Sequence, residues 1–367
     1  MNRFSIAQKA QFVISIMVAM SFYFLIYKPF SLFRAKKKII LLGTGNGLLE
    51  NNVECLFNQL VSKDDRVNVF FVSEHKFDKI GLENGADLLR IGSIRAYVKG
   101  LQAQVLVIDT CNSDIAPGLH KFLKGLKINV NHGFEGLKKL PIDYFKNIDA
   151  DIHCASSKFE GDIKSCQMGA EPKSVVVTGY PRFDEIANFS LGQDVLAFFT
   201  WRDWSLYGSG HFDRYLKHLN SLICREVSVA LGSRKLFIKL HPKIKQNISS
   251  DYSNIIVLSD FDNLTDYIRK CDMLITDYSS VTWDFIYNER KVIFYCFDYK
   301  EYSQTPGLYL RYDEEFSASF ALSISDVLRN FNEQHDVIDA QKYFRYRDGK
   351  NTNRVIDIIS EHLGVNW

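Results

Sequence analysis

KIILLGTGNGLLENNVECLFNQL, residues 38–60, runs from a short apolar segment through a glycine-rich turn into an amphipathic stretch. A strand covered on both faces is apolar throughout, whereas a helix that covers it is apolar on one side only. The segment therefore predicts a strand, a turn and a helix, the repeating unit of an α/β fold. The turn does not predict a dinucleotide site, because Leu48 stands where that fingerprint requires its third glycine.

Apolar runs of the same kind recur along the chain, and the first of them are separated by roughly 30 residues, about the length of one strand–helix unit. In the first half they are VNVFFVS, QVLVIDT, LKINVNHG, DADIHCASS and SVVVTGYP. The series restarts with VLAFFTWRDW and continues with KLFIKLHPK, NIIVLSD, DMLITDYSS and KVIFYCFD. Helical patterns lie between them, among others at residues 94–101, 119–125, 212–231, 264–270 and 281–288. Strands that alternate with helices predict parallel, doubly wound sheets of the Rossmann type.

Two domains are expected from a chain of 367 residues with two such series. The polar, glycine-containing stretch NFSLGQD at 188–194 separates the series, as a hinge would. The expected domains are residues 39–190 and 191–350, preceded by a hydrophobic segment with a basic flank at 1–38 and followed by a helix at 351–367 that crosses back. Two such domains would face a cleft at the carboxyl ends of their strands.

The composition excludes several classes of protein. With 46% hydrophobic and 24% charged residues, the chain is typical of globular proteins, which argues against extensive disorder. The formal net charge of +2 lacks the basic excess of a nucleic-acid-binding domain. Seven cysteines are dispersed without a CxxC pair, which indicates reduced thiols and offers no zinc-ligand spacing.

The amino terminus predicts a membrane anchor. Residues 10–27 carry no charge and include FVISIMVAMSFYFLIY, slightly short of the roughly 20 residues that cross a bilayer. Signal-peptide cleavage requires small residues after the apolar run, but YKPF follows it. Basic residues are more numerous after the run than before it, so the positive-inside rule places residues 39 onward in the cytoplasm. They are Lys28, Arg34, Lys36, Lys37 and Lys38, against Arg3 and Lys9. The alternative is a buried first helix of the folded domain.

Two histidines stand at the ends of predicted strands. His132 ends NVNH and precedes a glycine, so its imidazole is expected to face the cleft as a general base for a hydroxyl group. His241 stands near the end of KLFIKLHPK, with Lys239 on the same strand face, and an imidazolium beside an ammonium suits an anionic ligand. The alternatives are a structural histidine in a turn and a solvated basic edge.

A phosphate site is predicted from TWRDW and DYSSVTWDF. Arg202 follows a strand, where a guanidinium can contact two phosphate oxygens. Asp277 ends another strand, and Ser279 and Ser280 stand where a helix begins. Backbone N–H groups, the helix dipole and the hydroxyl groups would favour phosphate there. The alternative is that Asp277 or Ser279 only caps the helix.

Taken in order, these segments resemble the family of CDP-glycerol:poly(glycerophosphate) glycerophosphotransferases, the teichoic-acid primases and polymerases. The matching runs lie within residues 129–354 and are NHGFEGLKK, GYPRFDE, TWRDW, KLHP, TDYSSVTWDF, KVIFYCFDYKEY and YRDGKNTNRV. The resemblance implies a GT-B-like fold whose second domain holds the CDP-alcohol donor, and transfer without a metal or cofactor. The chain departs from the family at Asn131, where tryptophan is frequent, and at Phe183, where a polar residue is usual.

The resemblance also implies roles for single residues. His132 is the expected general base on the acceptor hydroxyl, and His241 is expected to bind and neutralise the donor pyrophosphate. The two histidines are the expected catalytic residues. Asp277 would shape the phosphate loop, and Arg182 would stand at the domain junction. The residues expected to bind the donor are Arg182, Arg202, Lys239, Asp277, Ser279 and Ser280.

The predicted enzyme moves glycerol phosphate, or a similar alditol phosphate, from a CDP-activated donor to a hydroxyl group of a lipid-linked or polysaccharide acceptor, with release of CMP. Its expected partners are CDP-glycerol or a related CDP-alditol, the acceptor and a membrane, without nucleic acid. Its expected location is the cytoplasmic face of the inner or plasma membrane. The alternatives are a GT-B glycosyltransferase that uses a nucleotide-sugar, and a non-catalytic subunit of a polysaccharide assembly complex.

Overall fold

The computed structural model describes residues 4–30, 37–61, 66–75, 87–186, 192–203, 210–241, 243–244, 246, 248–259, 262–333 and 338–367. The strands are β1 Lys38–Gly43, β2 Val67–Ser73, β3 Leu88–Arg90, β4 Val105–Ile108, β5 Leu126–Asn129, β6 Ile152–Ala155, β7 Val175–Val177, β8 Asp194–Phe198, β9 Leu236–Lys239, β10 Ile255–Val257, β11 Cys271–Thr276, β12 Lys291–Tyr295 and β13 Phe320–Ala321. The α-helices are α1 Ile6–Phe22, α2 Lys28–Phe30, α3 Asn51–Val61, α4 Ile94–Gln102, α5 Lys158–Met168, α6 Arg182–Ile186, α7 His211–Asn220, α8 Arg225–Leu231, α9 Leu264–Lys270, α10 Thr282–Tyr287, α11 Tyr299–Tyr302, α12 Tyr312–Glu315, α13 Ile324–Asn332 and α14 Asn351–Leu363.

The chain divides into two compact units. Unit 1 comprises Met1–Gly133, Pro141–Asp184 and Arg345–Trp367, and unit 2 comprises Phe134–Leu140 and Glu185–Phe344. Most of the predicted hinge at 188–194 lies outside the described residues, as do Arg3, Arg34, Lys36, Trp204 and Pro242.

Unit 1 contains a parallel sheet of seven strands in the order β3-β2-β1-β4-β5-β6-β7. The strand of the opening segment, β1, lies between β2 and β4 and pairs with both in parallel. Ile40, Leu41 and Leu42 of this strand are fully buried. A strand with neighbours on both edges and cover on both faces has to be apolar throughout, which explains its sequence.

Unit 2 contains a second parallel sheet, of six strands, in the order β10-β9-β8-β11-β12-β13. Its central strand β8 pairs with β9 and β11. Alternate residues of β8, Val195 and Ala197, belong to a core that also includes Leu236, Ile275 and Ile293 from the neighbouring strands. Each unit is thus a doubly wound α/β layer with its own core, as the two apolar series predicted.

Every strand predicted from an apolar run is present, whereas β3 and β13 were not predicted. These strands have 3 and 2 residues, too few to produce a pattern. The predicted helix at 212–231 is two helices, α7 and α8, and the predicted helix at 119–125 is only a 3₁₀ turn at His120–Phe122. Both patterns were read as helices because apolar spacing does not report where the backbone bends.

The C-terminal helix α14 belongs to unit 1, where Asp184 caps its first turn. The Asp184 carboxylate accepts hydrogen bonds from the N–H groups of Asn351 and Thr352, at 2.9 and 2.7 Å, and from the Thr352 hydroxyl at 2.8 Å. Gly179 adopts φ +73°, and a Cβ atom there would lie 2.0 Å from Asn351 Oδ1. The runs GYPRFDE and NTNRV are therefore in contact. The first run supplies Asp184, which caps α14, and Gly179, which lets Asn351 of the second run approach closely.

All seven cysteines are free thiols, with Cys166 exposed and Cys55, Cys154, Cys271 and Cys296 buried. At the amino terminus, Ile6–Tyr27 forms one helical segment of 22 residues that is long and apolar enough to cross a membrane.

Candidate active site

A tight turn in unit 1 exposes His132 just beyond β5. Asn131 adopts φ +51° and is buried, and its N–H group donates to Asn129 Oδ1 at 2.9 Å. Asparagine tolerates this left-handed conformation better than most residues do. His132 itself is exposed, and the orientation of its imidazole towards a cleft stays a prediction.

The buried side chain of Asn52 fixes this turn. Its Nδ2 donates to the carbonyl groups of Val130 and Asn131, at 3.2 and 2.7 Å, and its Oδ1 accepts from the Arg182 N–H at 3.0 Å. The Arg182 guanidinium in turn donates to the His132 carbonyl at 3.4 Å. Arg182 was grouped with the donor-binding residues, but the structure places it in unit 1 as a support of the His132 backbone.

Asp109 is a third neighbour of His132, which the sequence analysis did not single out. It follows β4, and its Oδ1 accepts from the Gly45 N–H at 2.8 Å and from the Thr110 hydroxyl at 3.0 Å. Burial, helped by the charge of Asp114, raises the pKa of Asp109 to about 6, while the Gly45 N–H and the charge of His132 oppose the rise. Because β4 and β5 are adjacent, the residues beyond their carboxyl ends share one edge of the sheet, and this adjacency is the signal that the sequence analysis missed. Asn52, Asp109, His132 and Arg182 are called the His132 cluster below.

Arg202, in unit 2, is enclosed by acidic partners. Its Nε and Nη2 donate to the Asp298 carboxylate at 2.8 and 3.0 Å, and its Nη1 donates to the Thr200 carbonyl at 2.6 Å. Nη2 also lies 2.8 Å from Asp277 Oδ2. The residue is 2% exposed, so the expected fork onto phosphate oxygens is wrong in this structure: the guanidinium holds carboxylates instead.

Aromatic rings complete the enclosure of Arg202. The rings of Tyr215, Tyr278 and Tyr302 lie 5.4, 5.1 and 4.6 Å from the guanidinium carbon. Burial alone would lower the pKa of Arg202, but the charges of Asp277 and Asp298 outweigh it and raise that pKa well above its ordinary value. Arg202 therefore stays charged and joins the ends of three strands. Thr200, Arg202, Asp277, Tyr278 and Asp298 are called the Arg202 cluster.

Asp277 and the two serines form the turn between β11 and α10. Asp277 is fully buried, and its Oδ1 accepts from the N–H groups of Thr200 and Tyr278 at 2.8 and 2.6 Å. Ser279 is buried, and its hydroxyl accepts from the Val281 N–H at 3.3 Å. Ser280 is exposed at the same turn, so it is the serine that a ligand can reach.

Two N–H groups at the start of α10 have partners within the turn. The carbonyl groups of Ser279 and Ser280 accept from the N–H groups of Thr282 and Trp283, each at 3.1 Å. These two N–H groups therefore stabilise the turn, and phosphate binding at this helix start stays a prediction.

His241 lies in an aromatic and cationic setting of unit 2. Its ring lies 6.4 Å from that of Phe198 and 6.2 Å from that of Trp201, and the Lys243 ammonium lies 3.7 Å from the Trp201 ring. Burial first, and then the charges of Lys243 and Lys138, lower the pKa of His241 to about 4. Burial together with the charges of these two lysines therefore favours a neutral imidazole at neutral pH over the expected imidazolium. Phe198, Trp201, His241 and Lys243 are called the His241 patch.

The hydrogen bond made by His241 fixes its tautomer. Its Nδ1 accepts from the Lys243 N–H at 3.2 Å, so the ring proton resides on Nε2 and that atom is a donor. Lys239, expected beside it as an anion ligand, is buried, and its ammonium donates to the Ser259 carbonyl. Lys239 thus supports the loop after β10.

In the part of the chain that the structure describes, no group of three or more histidine, cysteine, aspartate and glutamate side chains is arranged to hold a metal ion.

Comparison with known proteins places these clusters in a family context. A sequence profile described as CDP-glycerol:poly(glycerophosphate) glycerophosphotransferase matches residues 25–361, a range that includes both clusters and the His241 patch. The teichoic acid ribitol-phosphate polymerase TarL of Staphylococcus aureus is 26% identical over 214 residues, 51% of this chain and 37% of that protein. The teichoic acid glycerol-phosphate primase of Bacillus subtilis is 33% identical over 136 residues, 34% of each chain. The chain spans little more than a third of the length of these relatives.

Solved structures show the same architecture. The wall teichoic acid polymerase TagF has a TM-score of 0.67 with this chain at 18% identity, over 98% of this chain and 99% of that chain. A complex of S. aureus MnaA with UDP has a TM-score of 0.56 at 14% identity, over 90% of this chain and 98% of that chain. These likenesses show the GT-B-like α/β fold with two parallel sheets that was expected.

Proposed function

The chain belongs to the CDP-glycerol:poly(glycerophosphate) glycerophosphotransferase family, and we propose that it transfers glycerol phosphate, or a similar alditol phosphate, from a CDP-activated donor to a hydroxyl group and releases CMP. The acceptor in this proposal is a lipid-linked or polysaccharide chain of the cell surface. The observation that carries the proposal is the family match over residues 25–361, which takes in every residue assigned a role in catalysis or donor binding below.

In the reaction, the acceptor oxygen attacks the β-phosphorus of the donor. The new oxygen–phosphorus bond forms while the bond from that phosphorus to the bridging oxygen breaks, so CMP leaves with the bridging oxygen. His132 takes the proton of the acceptor hydroxyl, since it is an exposed imidazole on a rigid turn. Asp109 supports the imidazolium that forms, while Asn52 and Arg182 hold the turn in place.

Donor binding is assigned to unit 2. His241 donates from Nε2 to a phosphate oxygen of the donor, and Lys243 and the exposed Ser280 add cationic and hydroxyl contacts. Ser279 shapes the turn. Three further residues were predicted to bind the donor, but each is buried and bonded to protein groups, so their role in this proposal is to hold the surrounding loops in place. They are Arg202, Lys239 and Asp277.

The proposal includes transfer without a metal ion or cofactor, so that cationic side chains and N–H donors balance the charge of the transferring group. It also places the enzyme at the cytoplasmic face of the inner or plasma membrane, where a lipid-linked acceptor would be met. The apolar segment Ile6–Tyr27, followed by Lys28, Lys37 and Lys38, supports a membrane location.

The decisive experiment is incubation of the full chain with CDP-glycerol, CDP-ribitol or UDP-sugars and a crude lipid-linked acceptor. The proposal expects CMP from one or both CDP-alditols, and a product heavier than the acceptor by one or more alditol phosphate units. UDP release with a sugar added to the product would instead establish a nucleotide-sugar glycosyltransferase. Absence of release from every donor, together with absence of donor binding, would favour a non-catalytic subunit.

A further inference from the structure

A cavity of about 590 Å³ lies in unit 1, between the connection from β4 to β5 and the connection from β5 to β6. All of its lining residues lie within 111–127 and 146–149, so none of them belongs to the His132 cluster. The volume is within the usual range of sites that bind small molecules. The cavity is therefore a second candidate site in unit 1, separate from the turn that holds the proposed base.

The two connections leave this space open because neither contains an α-helix. Every residue of both connections is described, and their helical elements are 3₁₀ turns of three residues each, at Asn112–Asp114, His120–Phe122 and Phe145–Asn147. Elsewhere in the unit an α-helix such as α5 follows a strand and covers the sheet. A short turn covers less of the sheet than a helix does, so a cavity remains between the two connections.

The side chain of Asn112 joins the two connections at the cavity wall. Its Nδ2 donates to the carbonyl groups of Ile148 and Asp149, at 2.9 and 2.7 Å. These two bonds fix the orientation of the amide group. Asn112 is 2% exposed, and its Oδ1 accepts no hydrogen bond from the described residues. Because a buried acceptor normally has a donor, this atom indicates that the wall suits a ligand with a hydroxyl group.

The charged side chains make the cavity cationic, since three lysines and a single aspartate line it. The aspartate, Asp149, is engaged by Lys127, whose ammonium lies 2.9 Å from its Oδ2 and whose side chain is 12% exposed. Lys121 and Lys146 are exposed, and in the described part of the chain neither forms an ion pair. Two ammonium groups are thus available to an anionic ligand.

We propose that this cavity binds an alditol phosphate unit of the acceptor chain, away from the hydroxyl group that reacts. The phosphate group suits the ammonium groups of Lys121 and Lys146, and the alditol hydroxyl groups suit the amides of Asn112 and Asn147. A chain held both here and at its reacting end is bound at two points, so its affinity exceeds that of a single unit. This inference rests on the proposed function and identifies the acceptor as a polyanionic chain.

Equilibrium binding of a soluble oligo(glycerol phosphate) to the full chain tests the site without any need for turnover. Lys121→Glu with Lys146→Glu reverses the two available charges and should weaken binding by about tenfold or more. The matched control, Lys173→Glu with Lys217→Glu, reverses two exposed charges elsewhere and should stay within about twofold of the wild type, because distant exposed charges are screened. Equal affinities of the two double variants, or a wild type that binds no oligomer, would overturn the inference.

Free glycerol 3-phosphate distinguishes the two sources of this ligand chemistry. If the cavity holds a unit of a chain, the wild type should bind glycerol 3-phosphate about tenfold or more weakly than the oligomer. Equal affinities for the two ligands, both lost in Lys121→Glu with Lys146→Glu, would assign the cavity to a free alditol phosphate and overturn its role in acceptor binding.

The transfer reaction is decided separately, by CMP release from CDP-alditols. CMP release together with equal oligomer binding by the two double variants would overturn the cavity site and leave the proposed function in place. Selective loss of oligomer binding in the cavity variant, without CMP release from any CDP-alditol in the wild type, would overturn the proposed function and leave the binding site in place.

Discussion

The guanidinium of Arg202 and the carboxylate of Asp298 form a two-point ion pair, with Nε–Oδ2 and Nη2–Oδ1 distances of 2.8 and 3.0 Å. The pair joins the segment after β8 to the segment after β12, across 96 positions of sequence. Asp277, at the end of β11, approaches the same guanidinium. One side chain thus ties together the ends of three neighbouring strands in unit 2.

Removal of this side chain should therefore cost stability. Arg202→Ala would leave the buried carboxylates of Asp277 and Asp298 without their cation and should lower the free energy of unfolding by about 3–5 kcal/mol in urea denaturation. The control Arg311→Ala breaks an exposed pair with Asp313 and should cost at most about 1 kcal/mol. Wild-type stability with a selective loss of donor binding would restore the phosphate-contact role predicted from sequence.

His241 is expected to bind the donor as a neutral hydrogen-bond donor. His241→Ala should weaken CDP-glycerol binding by roughly 10- to 100-fold, the usual size of one hydrogen bond to a charged group, and His241→Gln should recover part of the loss because an amide N–H can replace Nε2–H. Because the pKa of His241 is lowered to about 4, wild-type affinity should stay constant from about pH 6.5 to 8. Calorimetric titration with CDP-glycerol measures both the affinities of the variants and the pH dependence of the wild-type affinity. Affinity that falls steadily over this interval would show that an imidazolium binds the donor.

The same histidine gives a prediction for stability. The unfolded chain takes up this proton near the ordinary pKa of about 6.5, whereas the folded chain takes it up only near 4. The neutral His241 side chain therefore makes its full contribution to the free energy of unfolding above pH 6.5, and this contribution is lost as the pH falls towards 4. Denaturation at several pH values should show that the free energy of unfolding falls less steeply with decreasing pH in His241→Gln than in the wild type. Identical slopes of the free energy of unfolding against pH would contradict the lowered pKa of His241.

Asp109 is predicted to position and support His132. Asp109→Asn should lower the rate constant of CMP release by roughly tenfold or more, with little change in the KM for the donor. It should also move the acidic limb of the pH–rate profile to lower pH, because the imidazolium loses a neighbouring carboxylate. The exposed Asp162→Asn is the control and should change neither. A loss of stability without a shift of the limb would assign Asp109 a purely structural role.

Transfer is expected to need no divalent cation. Exhaustive EDTA treatment, followed by assay in metal-free buffer, should leave the rate of CMP release within about twofold of the untreated enzyme. Loss of activity that Mg²⁺ or Mn²⁺ restores would contradict this part of the proposal.

Sequence was most informative where a pattern depends on local neighbours. Long apolar runs such as β1 and β11 were identified because strands covered on both faces must be apolar. His132 lies just beyond β5 and Ser280 lies between β11 and α10, as predicted, because the ends of strands are visible in sequence.

Partners distant in sequence could not be predicted. From sequence alone, Arg202 and Lys239 are both candidate phosphate ligands. In the folded chain Arg202 binds the Asp298 carboxylate and Lys239 donates to the Ser259 carbonyl, and neither partner is near in sequence. The lowered pKa of His241 results from burial first and then from the charges of Lys243 and Lys138, and Lys138 lies more than 100 positions away in sequence. Helix α1 has the hydropathy of a spanning segment, and its close approach to Gly92 and Gly118 is visible only in the structure.

The most direct test of the account is a paired measurement on His132→Ala: equilibrium binding of CDP-glycerol and the rate of CMP release in the presence of acceptor. The account predicts donor affinity within about threefold of the wild type and a rate lowered by roughly 10²- to 10⁴-fold, the usual contribution of a general base. His120→Ala, which removes a histidine of unit 1 outside the His132 cluster, should leave both values unchanged. Loss of donor affinity in His132→Ala, or a rate within tenfold of the wild type, would contradict the assignment of His132 as the base.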